Sequence, residues 1–289
     1  MVLKLNIIGE EKQMGILSDM GIADNLYKKE EKKPDKNEKV TAPKEKEPGS
    51  ELDYVFEKNY ECVCCGHNFK EMTVKTSRAR IIKTDWDLRP VFSGIDTIKY
   101  DVISCPSCGY SATTKFYGVL AAPQKKLIQT NVGRNFIRFS RNKIVSYDEA
   151  IERYKLALGC SIVKKAKDSE KAYTCLRMAW VIRGKAENLD RTDPEYENNL
   201  KMLKEDEDEL LHNALEGFVS ARRTEHFPIA GMDELTLDYL LSVLFYNEGD
   251  LNSSAKLCAQ VLTSKAANNR IKDKARDLKD AIIEKRKNQ

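Results

Sequence analysis

Apolar and polar positions change their spacing along the chain. In "EMTVKTSRARIIK" (71–83) and "TIKYDVISC" (97–105) they alternate, with β-branched and aromatic residues enriched, which predicts half-buried strands. From about residue 146 the spacing turns helical. In "SYDEAIERYKLALGCSIVKKAKD", Ala150, Ile151, Tyr154, Leu156, Ala157 and Leu158 recur at helix-face intervals, and Ser146 stands where a side-chain oxygen caps the first free amides. A second helix is expected over 169–189, a third over roughly 194–224, and two or three more over 233–286. "LDYLLSVLFYNEGDLNSSAKLCAQVLTS" (237–264) reads as a tetratricopeptide-type hairpin, turned at Gly249-Asp250, with small Ala255 at the close approach of its helices. The segments 147–166 and 169–188 form another candidate pair. Stacked hairpins leave a concave face that binds other proteins, and Tyr239, Leu244 and Tyr246 are the expected lining.

Ahead of these elements the patterning fails. "KKEEKKPDKNEKVTAPKEKEPGS" (28–50) is dense in mixed charge. Ordering a backbone costs roughly 1–2 kcal/mol per residue, more than so few apolar side chains offset, so a disordered tether is expected. Before it, "MGILSDMGIADNLY" (14–27) is an apolar island in which Ile16, Leu17, Met20 and Ile22 suit a short amphipathic helix, docking on a partner or back on this chain; the plainer reading is a disordered terminus. Gly9-Glu10 fit a purine-rich ribosome-binding sequence, which makes Met14 a candidate start. The organisation expected is α+β: a flexible segment over 1–50, a small β-rich head over 51–122 and an all-helical, tetratricopeptide-like body over 123–289.

Composition narrows the setting. A hydrophobic fraction of 41% builds a real core, and 33% charged residues suit well-solvated helices. Net charge is only +4, so the bulk balance announces neither a nucleic-acid nor a membrane partner. The longest apolar candidate, "YLLSVLFY" (239–246), falls short of the roughly 18–20 residues that span a bilayer, so no membrane insertion is expected. The opening "MVLKLNIIGEEK" lacks a signal-peptide pattern. A cytoplasmic location follows as the expectation, and in that reducing setting cysteines are seldom disulfides.

The chemistry concentrates in "ECVCCGHNF" (61–69) and "CPSCGY" (105–110). Each holds a C-x-x-C pair followed by glycine, whose positive φ closes a knuckle. Two such knuckles supply the four sulfurs of a tetrahedral zinc site. Aligning Gly66 with Gly109 pairs Cys62 with Cys105 and Cys65 with Cys108, leaving Cys64 in the place of Ser107. The expected ligands are Cys62, Cys65, Cys105 and Cys108, with zinc in a structural role. A variant site using His67, an iron–sulfur cluster and a dithiol redox pair are the alternatives. Cys160, Cys175 and Cys258 fall in helix patterns as buried residues.

Other candidates are weaker. Residues 125–143 carry Lys125, Lys126, Arg134, Arg138, Arg141 and Lys143 with Phe136 and Phe139 interleaved and no acid, a pattern that contacts phosphates and stacks on bases. The bland reading packs both rings on the body and leaves the charges in water. Arg78, Arg80, Asp85 and Asp87 suit an anion site or, more plainly, mutual ion pairs on the head. "EDEDE" (205–209) reads as a solvated run. His67, His212 and His226 sit with no nucleophile or carboxylate base at a recognisable spacing, and no phosphate-binding glycine loop is present, so no enzyme is expected.

The C-x-x-C-G motif with Phe69, "VKTSRAR" (74–80), the Asp85/Asp87 pair and "CPSCGY" together resemble a bacterial family named domain of unknown function 2225. "YDEAIERYKLAL" (147–158), "CLRMAWVIR" (175–183) and "TSKAANNRIKDKARD" (263–277) extend the resemblance over roughly 54–285. CVCCG stands where the family shows CPxCG, which leaves the four-sulfur set intact. The resemblance implies a fold and no activity. The expected function is a non-enzymatic zinc-binding scaffold or adaptor with a protein partner; the alternatives are a nucleic-acid-binding regulator and a thiol redox protein.

Overall fold

The computed structural model describes residues 50–137 and 141–288. The apolar segment 14–27, residues 28–49 of the tether, Arg138 and Phe139 lie outside them. Three antiparallel hairpins come first: β1 (Val55–Glu61) with β2 (Asn68–Val74), β3 (Ile81–Thr84) with β4 (Pro90–Phe92), and β5 (Val102–Ser104) with β6 (Ser111–Thr113). The stretch predicted as one strand over 71–83 is therefore two. The polar run after Val74 turns, with the Arg78 amide donating to the Lys75 carbonyl at 3.0 Å. The strand expected over 97–105 likewise starts late. Asp96 accepts from the Ile98 amide at 3.1 Å and caps a 3-10 turn, Thr97–Tyr100, so extended backbone begins at Val102.

Seven helices follow: α1 (Ala122–Ile128), α2 (Tyr147–Val163), α3 (Asp168–Glu187), α4 (Tyr196–Thr224), α5 (Glu234–Glu248), α6 (Leu251–Thr263) and α7 (Asn269–Lys287). The starts of α2, α5, α6 and α7 follow capping chemistry. Ser146 accepts from the Glu149 amide at 3.1 Å, Asp233 from Thr236 at 2.8 Å, Asp250 from Ser253 at 3.0 Å and Asn268 from Ile271 at 2.9 Å. The helix α5 ends where Gly249 takes φ +84°, the left-handed cap that glycine adopts without a steric penalty. Consecutive helices pack in sequence, α2 on α3, α3 along α4, α5 on α6 and α6 on α7.

The close approach of α5 and α6 falls at Ser242 and Ser254 and not at Ala255. Each serine hydroxyl donates to the other's carbonyl at 2.7 Å, and both residues are buried, while Ala255 beside them is only half-buried. Two small hydroxyls let the backbones meet and satisfy themselves in a dry seam.

Strands and helices share one core. Val55, Ile98, Tyr100 and Val102 from the first half cluster with Tyr154, Met178, Leu210 and Leu240 from the second. A second cluster surrounds the cysteines, and a third lies among α5, α6 and α7. Among the described residues, no helix is long and apolar enough to cross a membrane.

Candidate metal centre

The two cysteine knuckles have the same backbone construction. In the first, the Gly66 amide donates to the Cys62 carbonyl at 2.8 Å and the Cys62 amide to the His67 carbonyl at 2.9 Å. In the second, Gly109 donates to Cys105 at 3.0 Å and Cys105 to Tyr110 at 2.9 Å. Both glycines sit at positive φ, +75° and +73°. At Gly109 a side chain is excluded twice over, because an added Cβ would lie 2.5 Å from the ring of Phe136. The first knuckle grows from the end of β1 and the second joins β5 to β6.

These turns aim four sulfurs at one point. Cys62 and Cys108 are 3.6 Å apart, Cys65 and Cys105 are 3.7 Å apart, and the ligand atoms of all four lie within 4.8 Å of one another. A tetrahedron with metal–sulfur bonds of about 2.3 Å has edges of about 3.8 Å, so the set fits a metal ion. Every cysteine in the chain is a free thiol. Hydrogen bonds from Cys105 and Cys108 hold the Cys62 thiol well below the usual thiol range. Cys108 is pushed far up because it donates to Cys105, Cys62 and Cys64. Cys105 rises to about 11, the lowering effect of its bond with Cys108 being outweighed by donation to Cys62 and by burial. Four thiols this close favour sharing a negative charge, and four thiolates here require a cation at the centre.

Cys64 does not join the set. Its sulfur lies 3.9 Å from the Lys125 carbonyl, and its own carbonyl accepts from Gln129 at 3.3 Å. The end of α1 thus covers the first knuckle and buries Cys64, whereas Ser107 in the matching position is exposed. His67 also stands outside the set, parallel to Phe69 with ring centroids 6.5 Å apart.

Glu71 and Arg153, which no motif marked, position the second knuckle together with Arg141. Glu71, buried on the inward face of β2, accepts from Arg153 of α2 at 2.9 Å and from Arg141 at 3.0 Å. Arg141 also donates to the Ser104 carbonyl, one residue before Cys105, and Arg153 reaches Glu149 at 2.6 Å. The available signal was an acid in the same register as Phe69, opposite an arginine inside an apolar helix stripe.

A family model described as "Uncharacterized protein conserved in bacteria (DUF2225)" matches residues 55–282. The chain belongs to that family. No curated protein and no solved structure matches it.

The remaining candidates of this DUF2225 protein are dispersed. Asp85 and Asp87 pair with neither Arg78 nor Arg80. Asp87 is buried, accepting from Trp180 at 2.8 Å and from Arg183 at 2.6 Å, and Asp85 lies 3.4 Å from Arg183 and 3.6 Å from Arg89. Arg89 in turn grips Glu187 with both terminal nitrogens, at 2.9 and 2.8 Å. Arg78 donates to the Asp53 carbonyl at 3.2 Å. Of the acidic run, Glu207 is not solvated: it is buried against Arg183 at 2.7 Å, where α3 and α4 meet. Asp85, Asp87 and Arg89 therefore bind the β3–β4 hairpin to the helices.

Two other expectations change. Tyr239 and Leu244 are 0% and 1% exposed, so they form core and cannot line a groove. Tyr246 alone of that trio reaches the surface, edge-on to Trp86 and 4.5 Å beneath the Lys285 ammonium. In the basic stretch, Arg141 is turned inward to Glu71 and Ser104, and Lys125 is half-buried beside Cys64. Lys126, Arg134 and Lys143 are exposed, and Phe136 packs on Gly109. Arg138 lies outside the described residues.

Proposed function

We propose that this chain is a non-enzymatic binding protein whose four-cysteine centre holds a structural zinc ion and whose helical body takes a protein partner. The observation that carries the zinc assignment is the closed donor set: four sulfurs within 4.8 Å of one another complete a tetrahedral shell and leave no position for water or substrate. Such an ion contributes folding free energy rather than chemistry. Three of the four sulfurs belong to buried residues inside an apolar cluster that includes Phe69, Tyr110 and Leu156, which suits a structural centre. A trough between α4, α5 and α6 supports the binding role and replaces the surface expected around Tyr239 and Leu244.

Elemental analysis of protein purified without added metal, with thiol counting before and after a chelator, tests the zinc assignment. Zinc at one equivalent with four thiols unmasked by the chelator supports it. Iron with colour, or no metal and fast-reacting native thiols, moves redox chemistry to the front.

A nucleic-acid reading keeps one specific support. Lys126, Arg134 and Lys143 are exposed, with no ion pair among the described residues. If they contact phosphate, Lys126→Glu with Arg134→Glu abolishes salt-sensitive retention on single-stranded DNA or RNA. A chain that shows no such retention before substitution leaves the protein-binding reading alone.

A further inference from the structure

Where the last turns of α4 meet the outer faces of α5 and α6, the surface opens into a groove of about 260 Å³. Val219, Phe245 and Leu257, each half-buried, form its floor over buried Leu241. Arg223 and Lys256 stand exposed on its rim and make no ion pair among the described residues. Arg222 is already committed to Asp238, at 2.6 Å. No carboxylate lines the groove. The volume lies below the roughly 300–1,000 Å³ typical of small-molecule pockets, and an apolar trough edged by free cations suits apolar side chains flanked by carboxylates.

We propose that this groove takes the chain's own segment 14–27 in cis. The inference rests on the reading of the groove as a peptide-binding surface. Residues 14–27 match it in chemistry: Ile16, Leu17, Met20, Ile22 and Leu26 are apolar, and Asp19 and Asp24 are the only charged residues in the segment. The segments on either side do not match, since 28–49 is dense in lysine and poor in apolar residues, and the first thirteen residues carry charges of both signs.

The connection is long enough. Residues 28–49 separate the segment from Ser50. Fully extended they reach roughly 70–80 Å, and as a coil about 25 Å. A folded body of this size has a radius of gyration of about 18 Å, so the reach includes any of its faces. Tethering at this length holds the segment at an effective concentration on the order of millimolar. Modest intrinsic affinity then keeps the groove covered, and a protein partner must displace the segment to bind. The body carries its own competitor.

The test places the photocrosslinking amino acid benzoylphenylalanine at Gln260, an exposed position in the groove, in the full chain expressed in cells. The expected product is an intramolecular crosslink to a peptide within 14–27. It should fall several-fold when Arg223→Glu and Lys256→Glu are combined, two exposed changes whose effect on folding is checked by an unchanged melting temperature. A crosslink to another polypeptide, including a second copy of this chain, overturns cis docking and leaves the groove as a partner surface. A crosslink to a different segment of the same chain also overturns it. Photolysis with no polypeptide product removes both this inference and the partner-groove reading, while the metal assignment rests on its own measurement.

Discussion

Cys64 and Cys65 are neighbours with opposite fates. Cys65 aims its sulfur at the other three ligands, while Cys64 turns to the carbonyl of Lys125. Cys65→Ser should therefore abolish stoichiometric metal and Cys64→Ser should retain it, read by elemental analysis of each variant. A second residue-scale contrast concerns arginines. Arg183 holds Asp87 and Glu207, both buried, and Arg183→Ala leaves those carboxylates without their cation, at a cost of about 3–5 kcal/mol. Arg223→Glu, on the exposed groove rim, should change stability by less than about 0.5 kcal/mol. Calorimetric melting of both variants checks the pair. Nothing in "EDEDE" marks Glu207 as different from its neighbours, because its burial comes from α3 lying alongside α4.

Elements obey local chemistry most closely where they end. Ser146 caps α2 as its position predicts, and Ser146→Ala should cost about 1 kcal/mol in a denaturant titration. The α5–α6 seam is less local. Ser254→Val places methyl groups where the Ser254 hydroxyl now donates to the Ser242 carbonyl, in a buried contact. The combined loss and overpacking should destabilise by roughly 1–3 kcal/mol, and Ala255→Val, half-buried, by less. Period alone could not separate Ser254 from Ala255, since both are small and adjacent. Nor could alternation tell one strand over 71–83 from two, because a turn at Lys75–Arg78 keeps apolar residues at similar spacing on either side.

At the scale of the molecule, the cysteine head is not an appendage. Val55, Ile98 and Val102 share a core with α2, α3, α4 and α5, and Asp87, Arg89 and Glu71 fasten the hairpins to the helices. A chelator should therefore lower the melting temperature of the helical signal itself, with near- and far-ultraviolet circular dichroism changing together. A helical transition unaffected by metal removal would show that the two parts fold separately.

What the sequence determined by itself was whatever depends on neighbours along the chain. Two C-x-x-C-G knuckles, helix caps, the order of β-rich and helical halves and the family resemblance are all local patterns of residue type. Tertiary structure alone decided which charges are buried and which apolar residues remain at the surface. Tyr239 and Phe245 lie about 1.7 turns apart on α5 and so on different faces; the helical period separates those faces without saying which becomes core and which floors a groove. That difference belongs to the helices packed against α5, and burial is a property of the assembled fold that no single period in the chain encodes.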